Sequence, residues 1–112
     1  MEFRKQKPIY LQIADRLMER VLAGELKEED RVPSVRDVAE AMGVNPNTVM
    51  RTFEFLQSNE IINNRRGVGY FVAPQAPKII LDIPRREFLE NDLPLIKQKM
   101  KILGIDPMEL MS

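Results

Sequence analysis

A glycine between two helical stretches is the feature that most restricts how this chain can fold. Ala39 precedes Gly43 by four residues, and Val44 and Val49 follow it. A small residue lets two helices cross closely, glycine takes a turn conformation that a Cβ would oppose, and the valines fill the space between the helices. The pattern Ala-x3-Gly-Val-x4-Val therefore predicts a helix-turn-helix. Another kind of short helical hairpin is the alternative.

Helical periodicity and cap residues predict two helices in this motif and a third before it. Apolar residues recur every four positions from Ile9 to Val21, and Gly24 ends that stretch. Ser34 and the pair Asn45-Pro46 are typical of helix starts. The three predicted helices occupy residues 8–23, 34–42 and 46–59.

The periodicity changes after the third helix. Residues 61–63 and 70–72 are typical of short strands, and the loop between them contains Gly67. Three helices followed by a hairpin predict an α+β, mainly α fold, a winged helix-turn-helix over residues 1–73. Pro74 and Pro77 indicate a linker, which we place at 74–84.

Residues 85–112 form a predicted helical tail. Apolar residues three to four apart indicate an amphipathic helix over about 85–103, and Pro94 should kink it or split it near Asp92. Such a helix needs a partner surface, either its own domain or a second subunit. Its apolar residues are Phe88, Leu89, Leu93, Ile96, Met100 and Leu103.

Composition excludes several kinds of chemistry. The chain has no cysteine and no histidine, which removes disulfides, thiolate nucleophiles, His-based triads and His-rich zinc sites. The acidic residues Glu28, Glu29 and Asp30 are interpreted as a charged turn between helices. We therefore predict no enzymatic activity, no metal and no cofactor.

Charge and hydropathy bear on partners and location. The 17 basic and 17 acidic residues give a net charge of zero, so attraction to nucleic acid must come from a local cluster. The longest apolar run, residues 70–73, is too short to span a bilayer, and residues 1–5 do not lead into a signal peptide. We expect a cytoplasmic protein with no membrane partner.

The predicted third helix has the features of a DNA-reading helix. In a helix-turn-helix the first turn of the motif's second helix, here the predicted third helix of the chain, meets base edges in the major groove. Asn45, Asn47 and Thr48 lie at that end, and Asn47 and Arg51 point away from the apolar stripe. Asn45 and Thr48 could instead serve as helix caps, and Arg51 as a solvated surface charge.

The hairpin tip carries a second group of candidates. Arg65 and Arg66 precede Gly67, and two cations on a narrow turn suit a wing that reaches phosphates or the minor groove. A solvated charge pair is the alternative interpretation.

Residues 8–73 resemble the GntR family of bacterial transcription regulators. The segments that carry the resemblance are Pro-Ile-Tyr-Leu-Gln-Ile-Ala at 8–14, Ala-Gly-Glu-Leu at 23–26, Arg-Val-Pro-Ser-Val-Arg-Asp-Val-Ala at 31–39, Gly-Val-Asn-Pro-Asn-Thr-Val at 43–49 and Gly-Val-Gly-Tyr-Phe-Val at 67–72. The resemblance implies DNA contact by the Pro-Ser-x-Arg segment, the start of the reading helix and the wing. The residues concerned are Ser34, Arg36, Asn45, Asn47, Thr48, Arg66 and Gly67.

Three positions depart from the common family pattern. Met50 and Val68 stand where many members have a basic residue, and Pro46 replaces a frequent arginine. Asn-Pro-Asn-Thr-Val nevertheless resembles the short-tailed YtrA-like subfamily, whose members dimerise through the tail. With only 36 residues after Ala76, the tail is too small to enclose a typical ligand pocket of roughly 300 Å³.

The resemblance implies a homodimer that binds double-stranded operator DNA, and it favours a repressor. Two-fold symmetry would place two reading helices one or more DNA turns apart. The alternative is a winged-helix protein-interaction module without specific DNA binding, which the zero net charge, Met50 and Val68 favour. Whether a small-molecule effector exists is not predicted.

Overall fold

The computed structural model describes residues 7–110, which form two compact units. The first unit extends to Ile80 and the second begins at Leu81. The elements are α1 (Ile9–Leu22), α2 (Val35–Met42), α3 (Pro46–Ser58), β1 (Ile62–Arg65), β2 (Gly69–Val72), α4 (Ala76–Glu87), a π-helical turn (Phe88–Asp92), α5 (Leu93–Leu103) and a 3₁₀ turn (Pro107–Leu110). Residues 1–6 and 111–112, which the predicted domain ranges include, lie outside the described residues.

The core of the first unit forms where α1 packs on α3. Ile13 and Leu17 are buried on α1, and Val49, Phe53 and Leu56 are buried on α3. These residues follow the helical period of their sequences, so the two apolar stripes face each other. The predicted bounds of the three helices are confirmed to within one residue at each end.

Local capping sets the helix-turn-helix. The Ser34 hydroxyl accepts the backbone N–H of Asp37 at 3.0 Å and begins α2. Gly43 ends α2 in the left-handed conformation at φ +65°, and the Asn45 side chain accepts the N–H of Asn47 at 2.8 Å and begins α3. Ala39 is buried, and α2 packs on α3. The predicted helix-turn-helix is confirmed.

The hairpin is antiparallel and attaches to the helices through aromatic packing. Ile62 pairs with Val72 at one end and Arg65 with Gly69 at the other. The Tyr70 ring meets the Phe53 ring edge to face, with centroids 4.9 Å apart. The loop before α2 joins the other edge of β2, where the Val32 N–H donates to the Tyr70 carbonyl at 2.8 Å. The predicted wing is confirmed, and its strands extend further toward the tip than the sequence indicated.

The predicted linker at 74–84 is wrong from residue 76 onward, because that stretch is helical. Ala76 and Ile80 are buried in the first unit, at 0% and 6% exposure. Pro77 lies in the first turn of α4, where a missing N–H leaves no hydrogen bond unmade. A proline that indicated a linker is therefore compatible with a helix start.

The second unit shows the interruption that Pro94 predicted near Asp92. The π-helical turn ends at Asp92, and Pro94 occupies the first turn of α5. Proline cannot donate the backbone hydrogen bond that a continuous α-helix requires at that position. Gly104 ends α5 at φ +69°, and Asp106 accepts the Met108 N–H at 2.9 Å in the final turn. Within residues 7–110, no helix is long and apolar enough to cross a membrane.

Candidate nucleic-acid interface

The predicted contact residues all lie in the first unit, and none of them is buried. Thr48 is half-buried, and the other eight are exposed. These eight are Ser34, Arg36, Asn45, Asn47, Arg51, Arg65, Arg66 and Gly67. Their hydrogen-bond and ion-pair partners divide them into side chains held by the protein and side chains available to a ligand.

The first turn of α3 presents one unpaired amide. Asn45 uses its side-chain oxygen for the cap, as the alternative interpretation predicted. Asn47 follows it on the exposed side, and its side-chain amide has no hydrogen-bond partner among residues 7–110. An asparagine amide offers both donors and an acceptor, the set that pairs with an adenine edge. Asn47 therefore offers, in the first turn of α3, an amide that is available to a ligand.

Arg51 is held against the start of α1. Its guanidinium carbon lies 4.3 Å from the centre of the Tyr10 ring, a cation–π arrangement. The next residue, Thr52, is fully buried and donates its hydroxyl to the Tyr10 carbonyl at 2.7 Å. The start of α1 thus contacts the middle of α3, and Arg51 lies over the Tyr10 ring while it remains exposed.

Sequence reasoning missed Tyr10 and Thr52. Thr52 interrupts an otherwise apolar stripe, three residues after Val49, and a polar residue at a buried helical position needs a partner. That signal could have identified Thr52. Its partner, 42 residues earlier in the chain, could not have been identified from spacing.

The start of α2 contributes a cap and a free cation. Ser34 is occupied as an acceptor by the Asp37 N–H but retains a hydroxyl hydrogen that it can donate. Arg36 is exposed in the first turn of α2, with no ion-pair partner in the described part of the chain. It is therefore available to a phosphate.

The two wing arginines have different environments. The Val68 N–H donates to the Arg65 carbonyl at 2.9 Å and closes the tip, with Gly67 at φ +77° in the position that a type II turn gives to glycine. Arg65 forms an ion pair with Glu29, and its guanidinium carbon lies 4.1 Å from the centre of the Phe71 ring. Arg66 is exposed and has no such partner within the described range. The sequence presented them as an equivalent pair.

The tail exposes an apolar surface. Four of the six predicted tail residues are exposed, and Leu93 and Met100 are half-buried. No residue of α5 is buried. Sequence reasoning missed Leu95 and Ile102, which are 64% and 74% exposed, because they lie outside the single stripe that was followed. The apolar surface therefore extends around more of α5 than the predicted set.

Similarity to known proteins covers the first unit and continues into the tail. The family model "Bacterial regulatory proteins, gntR family" matches residues 9–72, from the start of α1 to the end of β2. The HTH-type transcriptional regulator YhcF of Bacillus subtilis is 41% identical over 113 residues, which cover 99% of this chain and 90% of that protein. The HTH-type transcriptional repressor YtrA of the same organism is 34% identical, covering 92% of this chain and 73% of that protein.

A solved structure is also similar to this chain over most of its length. A GntR-family protein from Bacteroides thetaiotaomicron superposes with a TM-score of 0.76 at 43% identity, covering 93% of this chain and 90% of that one. The similarity to YtrA agrees with the subfamily that Asn-Pro-Asn-Thr-Val resembled. The family and these relatives are transcription regulators. The winged helix-turn-helix and these similarities together show that the chain belongs to the gntR family of bacterial regulatory proteins and is a DNA-binding transcription regulator.

Proposed function

We propose that the protein is a homodimeric repressor that binds a two-fold operator, with α3 in the major groove. The observation that carries this proposal is the exposed first turn of α3, where Asn47 has no partner within residues 7–110. In this geometry Asn47 reads a base, while Asn45 and Thr48 fix the helix end against the DNA backbone.

Positively charged side chains outside α3 supply the phosphate contacts. Arg36 lies in the first turn of α2, two residues after the Ser34 cap, and Arg66 lies at the wing tip. Gly67 lets the wing backbone approach the DNA closely, since it carries no side chain. Because the whole chain is neutral, these local cations provide the attraction to DNA.

The exposed apolar side chains of the tail support the proposal that two copies associate. Phe88, Ile96 and Leu103 are 45%, 42% and 68% exposed, which is a large apolar area for three side chains. Burying one such side chain fully is worth about 1.5–3 kcal/mol, so a few from each subunit could sustain a dimer. A single winged helix covers one half-site, and pairing through the tail would join two.

The repressor assignment comes from YtrA, a named repressor that shares 34% identity with this chain. A repressor of bacterial genes acts where the chromosome is, so we place the protein in the cytoplasm. We propose no cofactor for DNA binding, because amide, hydroxyl and guanidinium groups suffice for the contacts described.

A protein-interaction module is the second candidate. Met50 and Val68 are 40% and 54% exposed, on the reading helix and the wing tip respectively. Apolar side chains at those two places, in a chain of zero net charge, favour a protein partner over a phosphate backbone.

Selection of bound sites from a random duplex pool separates the two candidates. We expect an enriched sequence with two-fold symmetry, whose affinity falls steeply between 50 and 200 mM salt, a working range in which phosphate contacts are strongly salt-dependent. Enrichment of no sequence, together with a flat salt dependence, would support the protein-interaction module. Enrichment of a single asymmetric half-site would retain DNA binding and contradict the two-fold operator.

A further inference from the structure

The turn before α2 holds an acidic side chain against the wing. Glu29 has φ +71°, a backbone conformation that residues other than glycine rarely adopt. Hydrogen bonds fix it there: the Glu29 N–H donates to the Val72 carbonyl at 2.9 Å, and the Asp30 N–H donates to the Lys27 carbonyl at 2.9 Å. The turn therefore fixes the backbone from which this side chain reaches the hairpin.

The partner of Glu29 is one of the two wing arginines. Its carboxylate forms an ion pair with Arg65, whose guanidinium also lies over the Phe71 ring. The side chains of Arg65 and Glu29 remain 44% and 53% exposed, so solvent and ligands can reach the pair. Arg66, the next residue, has no partner within the described residues. One wing arginine is thus neutralised and the other is not.

We propose that Glu29 competes with DNA phosphate for Arg65 and so limits the affinity of the wing for DNA of any sequence. A carboxylate and a phosphate present similar paired oxygens to a guanidinium, so Arg65 can serve one of them fully at a time. Phosphate contacts supply essentially all non-specific affinity. A phosphate contact by Arg65 requires the ion pair with Glu29 to break, so the pair weakens that contact. Discrimination between DNA sequences is then left to the base contacts of α3. This inference rests on the proposed contact between wing and DNA.

Replacing Glu29 by glutamine tests the competition on a 20-base-pair duplex of random sequence. An exposed ion pair of this kind corresponds to a factor of about 1.4 to 5 in an equilibrium constant. We expect the full-length Glu29→Gln protein to bind more tightly by roughly that factor at 50 mM salt. The slope of log affinity against log salt should steepen by about 0.9, because one more phosphate is neutralised.

Two matched variants control for the lost charge. Glu60→Gln makes the same charge change at another residue with positive φ, +62°, beyond the C-terminal end of α3. The 13 residues of α3 place that end about 20 Å from the proposed reading end. Glu28→Gln changes a neighbouring exposed acid that has no ion-pair partner in the described part of the chain. Neither variant should reproduce the steeper salt slope.

A double variant separates competition from simple repulsion. In an Arg65→Ala background, Glu29→Gln should leave affinity and salt slope unchanged, because the released guanidinium is missing. A gain that persists there would come from removing a repulsive charge and would overturn the proposal. Weaker or unchanged binding by Glu29→Gln would overturn it as well.

Two further measurements keep the result interpretable. Glu29→Gly removes the carboxylate and suits the positive φ, so it should bind like Glu29→Gln and remain at least as stable. Arg66→Ala tests the wing contact itself. If Arg66→Ala weakens binding while both Glu29 variants leave it unchanged, only the competition is refuted. If Arg66→Ala has no effect, the wing contact is refuted.

Discussion

The Thr52 hydroxyl connects the start of α1 to the proposed reading helix, and replacing Thr52 by valine removes that connection. The hydroxyl donates to the Tyr10 carbonyl at 2.7 Å and lies 3.3 Å from the Thr48 carbonyl in the preceding turn of α3. Thr52 is fully buried, and valine has nearly the same shape. The substitution therefore removes a hydrogen-bond donor without creating a cavity.

The expected loss of stability follows from these two contacts. A typical protein hydrogen bond contributes about 0.5–1.5 kcal/mol net, and the shorter bond to Tyr10 should account for most of it. We expect Thr52→Val to lower the free energy of unfolding by about 1 kcal/mol. The loss should not go much beyond this value, because the Tyr10 carbonyl lies within α1 and can still accept the backbone N–H one helical turn later.

Urea unfolding of all variants at the same protein concentration measures this change. The concentration is held constant because association contributes to the apparent stability. Thr52→Ser and Thr52→Ala both lack the methyl group and differ only in the hydroxyl. The difference between them should match the effect of Thr52→Val. If Thr52→Val is as stable as the parent and the serine and alanine variants agree, the hydroxyl contributes nothing and the reasoning is refuted.

Three other predictions concern DNA binding and assembly. Arg36→Ala and Arg66→Ala should each weaken binding in a mobility-shift assay and lower the salt slope by about one. Unchanged affinity in both variants would remove both residues from the interface. Asn47→Ala should cost roughly 1–3 kcal/mol on the selected site and relax preference at one base pair, whereas equal weakening on random DNA would indicate a backbone contact. Ile96→Asp and Leu103→Asp should shift sedimentation at tens of micromolar toward the monomer. A parent protein that already sediments as a monomer would contradict the tail dimer.

The truncation that tests the tail should follow the unit boundary of the structure. Ile80 is 6% exposed and belongs to the first unit, so a chain ending at Ala76 would lose part of the core. A chain ending at Ile80 keeps that side chain. Its sedimentation and DNA affinity can therefore be compared with those of the point variants.

Local signals in the sequence were sufficient for the helix-turn-helix. The Ser34 and Asn45 caps act on backbone groups two or three residues away, and Gly43 needs only its own backbone conformation. Such determinants are contained in a few consecutive residues. For this reason the helix bounds were predicted to within one residue. The same locality allowed Pro94 to predict the interruption near Asp92.

The start of α4 could not be predicted in this way. Pro77 is compatible with both a linker and the first turn of a helix, and local sequence does not distinguish them. The distinguishing observation is the burial of Ala76 and Ile80 as members of the first unit, and burial depends on the folded unit rather than on neighbouring residues. Tertiary packing therefore decided that this stretch is helical.

For the candidate interface, the sequence by itself determined the family and the winged-helix fold, and it predicted the region that meets DNA. The tertiary structure decided which side chains in that region are already engaged. Arg51 is held by Tyr10, and Arg65 by Glu29, 36 residues earlier in the chain. Arg36, Asn47 and Arg66 have no partner within residues 7–110. A cap or a helical period follows from neighbouring residues, whereas an ion pair between distant segments exists only after folding has brought them together.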